Sequence, residues 1–281
     1  LPPDKKNNSN LAFSRFLKFW RGVHGLNQEQ LAEKLSSSQR HISRLENGSS
    51  RPSEQLAIEL GKTLALGRRD SNHLLMAAGY VPLQQKVDFN TPELKWLRKA
   101  MMMTLRALDP YPTTLQDSSG KILMVNRGWV SFFQSRIKPQ ALHEVRNYYD
   151  FLFGQEGAGT IMTNWEDTLS VILMSLKQRS LFSDSEEDQH SYETLAQHPN
   201  VPDDWQQRAI KLEPMASFRI QMKIDGHQKS FFSVSSTVGA LGPTAYASEP
   251  NLSIQTLYPE DDDFCLEPLL NKTLDHPLLP Y

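Results

Sequence analysis

Along the first third of the chain, apolar residues recur at helical spacing. Phe13, Phe16, Leu17 and Trp20 fall on one side and predict a first amphipathic helix, which His24 and Gly25 end. Asn27 stands where the next helix starts, with Gln30 three residues on in capping-box position, and Leu31, Ala32 and Leu35 turn inward. After a short serine turn, Ser38 caps a third helix from Gln39 to Asn47. Its buried residues are Ile42 and Leu45, and Gly48 closes it. Pro52-Ser53 begins a fourth helix with Leu56, Leu60 and Leu64 along one face, and Asp70 is placed to cap a fifth that ends at Gly79. Five short helices predict one compact all-α domain over residues 9–80.

Residues 81–91 read as a linker. A helix from Thr91 to Leu108 follows, stopped by Asp109-Pro110. The period then changes. Thr114 to Gln116, the turn Asp117-Ser118-Ser119-Gly120 and Lys121 to Val125 predict a β-hairpin, and residues 127–135 return to helix. Asn164 to Gln178 is a strong helix with Trp165, Leu169, Ile172, Leu173 and Leu176 on an apolar side. Segment 183–190 is acidic and reads as loop. Phe218–Ile224, Phe231–Val238 and Leu252–Leu257 alternate as strands, with Asp225-Gly226 as a turn. The second domain, 92–260, is therefore α+β with an antiparallel sheet, and the acidic, Pro-rich residues 261–281 read as a loose tail.

The bulk numbers fit two globular domains of about 100–150 residues each. Of 281 residues, 39% are hydrophobic and 22% charged, so wholesale disorder is not expected. The single cysteine, Cys265, excludes an internal disulfide and fits a reducing cytoplasm. No apolar run is long enough for a membrane span, and the polar start lacks the stretch of a signal peptide. Leu1 is not an initiator, so the chain reads as trimmed or as a fragment. Charge is uneven: residues 1–80 carry 12 Lys/Arg against 7 Asp/Glu, a net of +5, and the rest carry 18 against 25, a net of −7. A basic front half suits a polyanion partner.

The third helix carries the chemistry that reads a polyanion. Each base pair shows a distinct donor and acceptor pattern in the major groove, and side chains that make two directed hydrogen bonds can read it. Gln39, Arg40 and Arg44 lie on the outer face with Ser43: Gln39 suits adenine N6/N7, and the arginines suit guanine O6/N7. Exposed Gln and Arg on a lone helix are ordinarily just solvated, so the flanking pattern decides. That pattern, Leu26-Asn27-Gln28-Glu29-Gln30-Leu31-Ala32-Glu33-Lys34-Leu35 followed by Ser38 through Glu46-Asn47-Gly48, resembles the helix-turn-helix of the lambdoid phage repressors and the wider Xre family. The resemblance implies a lambda-repressor-like fold, phosphate contact by Gln28, backbone contacts by Ser38, Asn47, Ser49 and Arg51, and an internal ion pair between Arg21 and Glu46. One position departs from it: the turn after Leu35 holds Ser36 where the family usually has glycine, at a cost of about 1 kcal/mol if the backbone there is left-handed.

The second domain resembles the MmyB-like transcription regulators, whose ligand-binding domain is PAS-like. The residues that carry this are Asp117 to Asn126 with Trp129 and Phe132-Phe133, Arg146-Asn147 followed by Phe151-Leu152-Phe153, and Asn164-Trp165-Glu166. The resemblance implies a sensed small molecule, with a fatty acid or other acyl chain as the suggested class. Trp129, Phe132, Phe133, Phe151, Phe153 and Met162 are candidates to line an apolar pocket, though aromatics at these spacings also serve as plain core. Arg146 either meets a carboxylate or holds a backbone carbonyl.

Other classes fit less well. There is no glycine-rich phosphate loop, His-Glu-x-x-His or Gly-x-Ser-x-Gly, and the histidines are scattered, so neither an enzyme nor a bound cofactor or metal is expected. Lys211, Lys223 and Lys229 beside several serines keep a self-cleaving phage-type repressor as an alternative, and an antitoxin-like interaction adaptor is another. The expectation is a homodimeric bacterial regulator in the cytoplasm that binds a double-stranded DNA operator, without a membrane partner.

Overall fold

A computed structural model describes residues 6–81, 88–182, 186–212, 218–238, 252–267, 270 and 273–281. They form two compact units, one from the first five helices and one from all later elements.

The first unit contains α1 (Lys6–Val23), α2 (Gln28–Lys34), α3 (Gln39–Glu46), α4 (Glu54–Thr63) and α5 (Arg68–Ala77). The predicted caps set most boundaries. Asn27 and Gln30 form a reciprocal capping box at the start of α2, Ser38 caps α3, and the Ser53 side chain accepts the amide of Leu56 to start α4. Asp70 is not the cap of α5: the helix begins earlier, with Gly67 at the cap and Asp70 in the first turn, where a carboxylate favours the positive end of the helix. Phe13, Leu17, Leu31, Leu35, Ile42, Leu45, Leu60, Leu64, Leu74 and Leu75 fill the core. This is the five-helix fold the period predicts.

The second unit opens with a single 3-10 turn, Pro92–Leu94, and α6 (Lys95–Ala107). Its five strands are β1 (Thr113–Asp117), β2 (Ile122–Val125), β3 (Arg219–Ile224), β4 (His227–Val238) and β5 (Leu252–Pro259). They form one antiparallel sheet in the order β2-β1-β5-β4-β3. Between β2 and β3 run α7 (Arg127–Gln134), α8 (Pro139–Glu144), α9 (Tyr148–Phe153), α10 (Trp165–Phe182), α11 (Glu186–Ala196) and α12 (Trp205–Ala209). Strand alternation sends side chains to both faces. Leu115, Leu252 and Ile254 pack on Met101 and Leu105 of α6. Ile220, Met222 and Phe231 pack on the opposite side with Trp129, Phe132, Phe151, Phe153, Leu169 and Leu173. The result is the α+β, PAS-like architecture expected.

The outer strands β3 and β2 each bond to flanking segments. Thr163 donates its amide to Gln221 O and Lys223 donates to Ile161 O, while Asn164 brackets the same strand by donating to Arg219 O and accepting from the Gln221 amide. At the other edge the Val125 amide donates to Leu278 O at 2.9 Å.

Two expectations need correction. The acidic segment is helical from Glu186 onward in α11, where Tyr192 and Leu195 dock on the core; an acidic run reads as loop only until its sparse apolar residues find a surface. Residues 183–185 lie outside the described ones. The tail is not loose in its described part: Leu266 and His276 are buried, Leu278 and Leu279 pack on the core, and Tyr281 donates its hydroxyl to Asp109. Six of the linker residues, 82–87, fall outside the described residues.

Candidate nucleic-acid interface and ligand cavity

The outer face of α3 is prepared by what lies beneath it. Ile42 and Leu45 are fully buried, so the helix has one fixed rotation and presents Gln39, Arg40 and Arg44 to solvent. Those three side chains make no hydrogen bond or ion pair within the described residues. Ser43 beside them is half-buried. Ser38 accepts the His41 amide at 3.2 Å, which leaves its hydroxyl proton to donate outward. Asn47 accepts the Ser49 amide through Oδ1 at 2.9 Å, and its amide N–H groups remain.

The turn that sets α2 against α3 is a Schellman motif. The amide of Ser37 donates to Ala32 O and that of Ser36 to Glu33 O, which requires Ser36 in the left-handed region, at φ 49°. Glu46, at the end of α3, accepts from Nε and Nη2 of the Arg21 guanidinium from α1 and from the Gln28 side-chain amide from α2. Burial works against the Glu46 charge, but the hydrogen bonds from Arg21 and Gln28 and the charges of Arg21 and Lys18 outweigh it and hold its carboxyl below the ordinary value.

Two residues expected at phosphates have internal partners. Gln28 donates one amide N–H to Glu46 at 2.8 Å, which holds its side chain against the end of α3 and leaves the second N–H as a donor. Arg51 donates to Ala78 O at 3.0 Å and Gly79 O at 3.2 Å and stacks over the Tyr80 ring, so it braces the end of α5.

The second unit contains a cavity of about 420 Å³, counting its open mouth. Trp129, Phe133, Phe151 and Met162, four of the seven predicted ligand residues, line it. Phe132 and Phe153 do not: they are fully buried core, Phe132 against Phe231 and Phe153 against His198. Arg146 does not either. It is exposed and donates to the carbonyls of His143 and Val145, the second of the two roles its type allowed. The lining that the aromatic pattern missed comes from the sheet and α9: Thr114, Ile220, Met222, Ser233, Gln255, Leu257 and Tyr148. The strand alternation of Ile220 and Met222 was the signal for two of them. Burial pushes the Tyr148 phenol up, so it stays neutral. Lys229, a candidate for self-cleavage, is paired with Asp261 at 2.7 Å and lies over the Phe264 ring. Among the described residues there is no cluster of metal-binding side chains and no helix long and apolar enough to cross a membrane.

Comparison with known proteins agrees with both halves. The model of the MmyB-like transcription regulator ligand binding domain matches residues 97–263, and a helix-turn-helix model matches residues 17–69. No curated protein matches the chain.

Proposed function

The chain belongs to the family of transcription regulators with a MmyB-like ligand binding domain, and from that premise we propose how it works. It is a DNA-binding transcription regulator with a ligand-binding domain. In our reading α3 enters the major groove of an operator. Gln39, Arg40 and Arg44 read base edges, while Ser38, Ser43 and Asn47 hold the backbone. The observation that carries this is the outward row of unpaired Gln39, Arg40 and Arg44 on a helix whose rotation is fixed by buried Ile42 and Leu45. Residues 9–80 act as the DNA-binding domain. The unit from residue 92 through the packed tail binds a small apolar ligand, of the acyl-chain class, in the cavity beside Trp129, and it also dimerises. Two copies reading half-sites about 34 Å apart convert two weak contacts into one firm one. A bacterial cytoplasm is the compartment where such an operator and the unpaired Cys265 thiol are both at home.

Footprinting on DNA upstream of the protein's own and neighbouring genes tests this. Wild type should protect a short site, and a Gln39→Ala/Arg40→Ala/Arg44→Ala variant should lose about a hundredfold or more in affinity for it. Rising salt should weaken what binding there is. A fully folded wild type with no protected site anywhere would make a protein-interaction adaptor the better reading.

A further inference from the structure

The face of the sheet turned away from the cavity is only half covered. α6 packs Met101 and Leu105 on Leu115, Leu252 and Ile254, which shields β1 and β5. Register sets Phe232, Val234 and Ser236 of β4 beside Tyr258, Thr256 and Ile254, so all three look out from the same face as Ile254. Among the described residues nothing covers them: Phe232 is 40% and Val234 42% exposed, and Ser236 is exposed too. Phe232 stacks on Tyr258 at 5.6 Å and Tyr258 meets Tyr111 at 4.8 Å, so the apolar strip runs back to the end of α6. Exposed apolar residues scattered singly need no account, but a contiguous patch does.

The sides of α6 that face away from its own sheet are sorted by size and charge. By helical spacing Lys95, Lys99 and Arg106 share one flank, Trp96 and Met103 point outward, and Ala100, Thr104 and Ala107 share the other flank. Arg106 lies over the ring of Tyr281, in the tail that bonds to β2 through Leu278. The cationic flank therefore faces the β2 edge, and the small-residue flank faces the uncovered strands. Trp96 is 71% and Met103 61% exposed, while Thr104 closes its hydroxyl on Ala100 O at 3.0 Å. Lys95 and Lys99 reach the Trp96 ring at 5.6 and 5.7 Å and place their charge at the rim, as around the apolar centre of an interface.

We propose that the open half of this face is filled by α6 of a second copy, the two helices parallel and side by side, each held between its own sheet and the other copy's. The inference rests on the reading that the second unit dimerises, and names the surface it uses. Ala100, Thr104 and Ala107 let the helices approach closely, and Trp96 and Met103 of each copy reach the Phe232–Val234 strip of the other. A two-fold axis along the helices turns the cationic flanks to opposite outer sides, so like charges do not meet, whereas an antiparallel pair would set both flanks on one side. The parallel pair also brings the two N-terminal ends of α6 together, where each chain arrives from its DNA-binding domain. Trp96, Met103, Tyr111, Phe232 and Val234 together offer roughly 600 Å² per copy, close to the about 800 Å² that each side of a standard interface buries.

Sedimentation equilibrium of the full chain tests this. Wild type should be dimeric at about 10 μM, and Trp96→Glu/Met103→Glu should weaken dimerisation about a hundredfold or more. Val234→Glu, on the opposite side of the same contact, should weaken it at least about tenfold. In a Cys265→Ser background, Ala100→Cys should cross-link two chains on mild oxidation and Lys99→Cys should not, which reads the parallel seam without a disruptive charge. A wild-type dimer whose dissociation constant is unchanged in Trp96→Glu/Met103→Glu overturns this surface and leaves dimerisation to another face. Cross-linking through Lys99→Cys but not Ala100→Cys overturns the parallel arrangement. A wild type that stays monomeric at about 100 μM overturns both the surface and the dimer.

Discussion

Arg21 and Glu46, 25 residues apart, meet side on: Nε and Nη2 of the guanidinium address the two carboxylate oxygens, while Nη1 donates to Leu26 O. The Glu46 side chain is only 5% exposed, and Gln28 supplies a third donor, so one carboxylate ties α1, α2 and α3 together beneath the proposed reading helix. Removing Arg21 strands a buried charge. Arg21→Ala should therefore cost about 3 kcal/mol, measured by urea unfolding of the N-terminal domain. Glu46→Ala should cost less, because Arg21 retains Leu26 O and reaches solvent. A loss under about 0.5 kcal/mol in Arg21→Ala would mean the pair is no more than a surface contact.

The same pair gives a pH dependence. The Glu46 carboxyl is held below its ordinary value in the fold, so its contribution is fully present above the unfolded value of about 4.3 and is lost as pH falls through the folded value. Acid unfolding of the N-terminal domain should begin below about pH 4 and should flatten in Glu46→Gln. Identical acid limbs in the two proteins would assign the effect to other carboxylates.

Ser36 carries a cost that glycine would not. Its φ of 49° closes the Schellman motif between α2 and α3, and Ala65, at φ 45°, repeats the arrangement after α4. Ser36→Gly and Ala65→Gly should each raise stability by about 1 kcal/mol, less the greater freedom glycine gives the unfolded chain. The two sites use separate helix ends, so the double variant should add. Urea midpoints that fall in either single variant would show that the side chain contributes something the turn geometry does not.

The contrast between these helices and the second domain shows what a sequence carries. Caps and periodicity are local, so Asn27, Ser38, Ser53 and the Leu31–Ile42–Leu45 face announce the helix-turn-helix directly. The cavity is not local. Trp129, Phe133, Phe151 and Met162 were found because aromatics and methionine favour apolar walls, but Phe132 and Phe153 have the same composition and lie one rotation away in solid core. Thr114 and Gln255 became part of a site only through strand pairing between residues 141 apart, which no spacing reveals. The short α8, α9 and α12 were missed because five or six residues are too few for a period to show.

Gly128 is fixed by backbone, not by preference. A Cβ there would stand 2.3 Å from Pro110 O and 2.7 Å from Pro110 C, while its amide donates to Asp109 Oδ1 at 2.8 Å. Nothing flexible can give way. Gly128→Ala should cost about 3 kcal/mol and lower the melting temperature of the C-terminal domain, leaving amide exchange in α1 to α5 unchanged. Wild-type melting in that variant would show that α7 can shift away from the α6–β1 connection.

His276 makes the packed tail sensitive to pH. Its Nε2 lies 3.0 Å from Leu142 O and so carries the proton, while Nδ1 accepts the Leu278 amide at 3.1 Å. Only the neutral ring satisfies both, and a proton on Nδ1 would face the Leu278 N–H. Burial lowers its pKa first; the Leu142 carbonyl opposes this, Arg146 and His143 reinforce it, Asp275 opposes it again, and the net value lies below the ordinary one. The stabilisation is therefore complete above about pH 6.5, the unfolded value, and disappears as pH falls through the folded value. Hydrogen exchange should report it at two amides, Leu278, bonded to the ring, and Val125, bonded to Leu278 O. Both should lose protection between pH 7 and 5 after correction for intrinsic rates, whereas His276→Gln should start lower at pH 7 and change little. The His276 ring also packs edge-on against Trp129, which lines the cavity, at 5.3 Å. Equal pH dependence of the two amides in wild type and His276→Gln would assign the effect to groups other than His276.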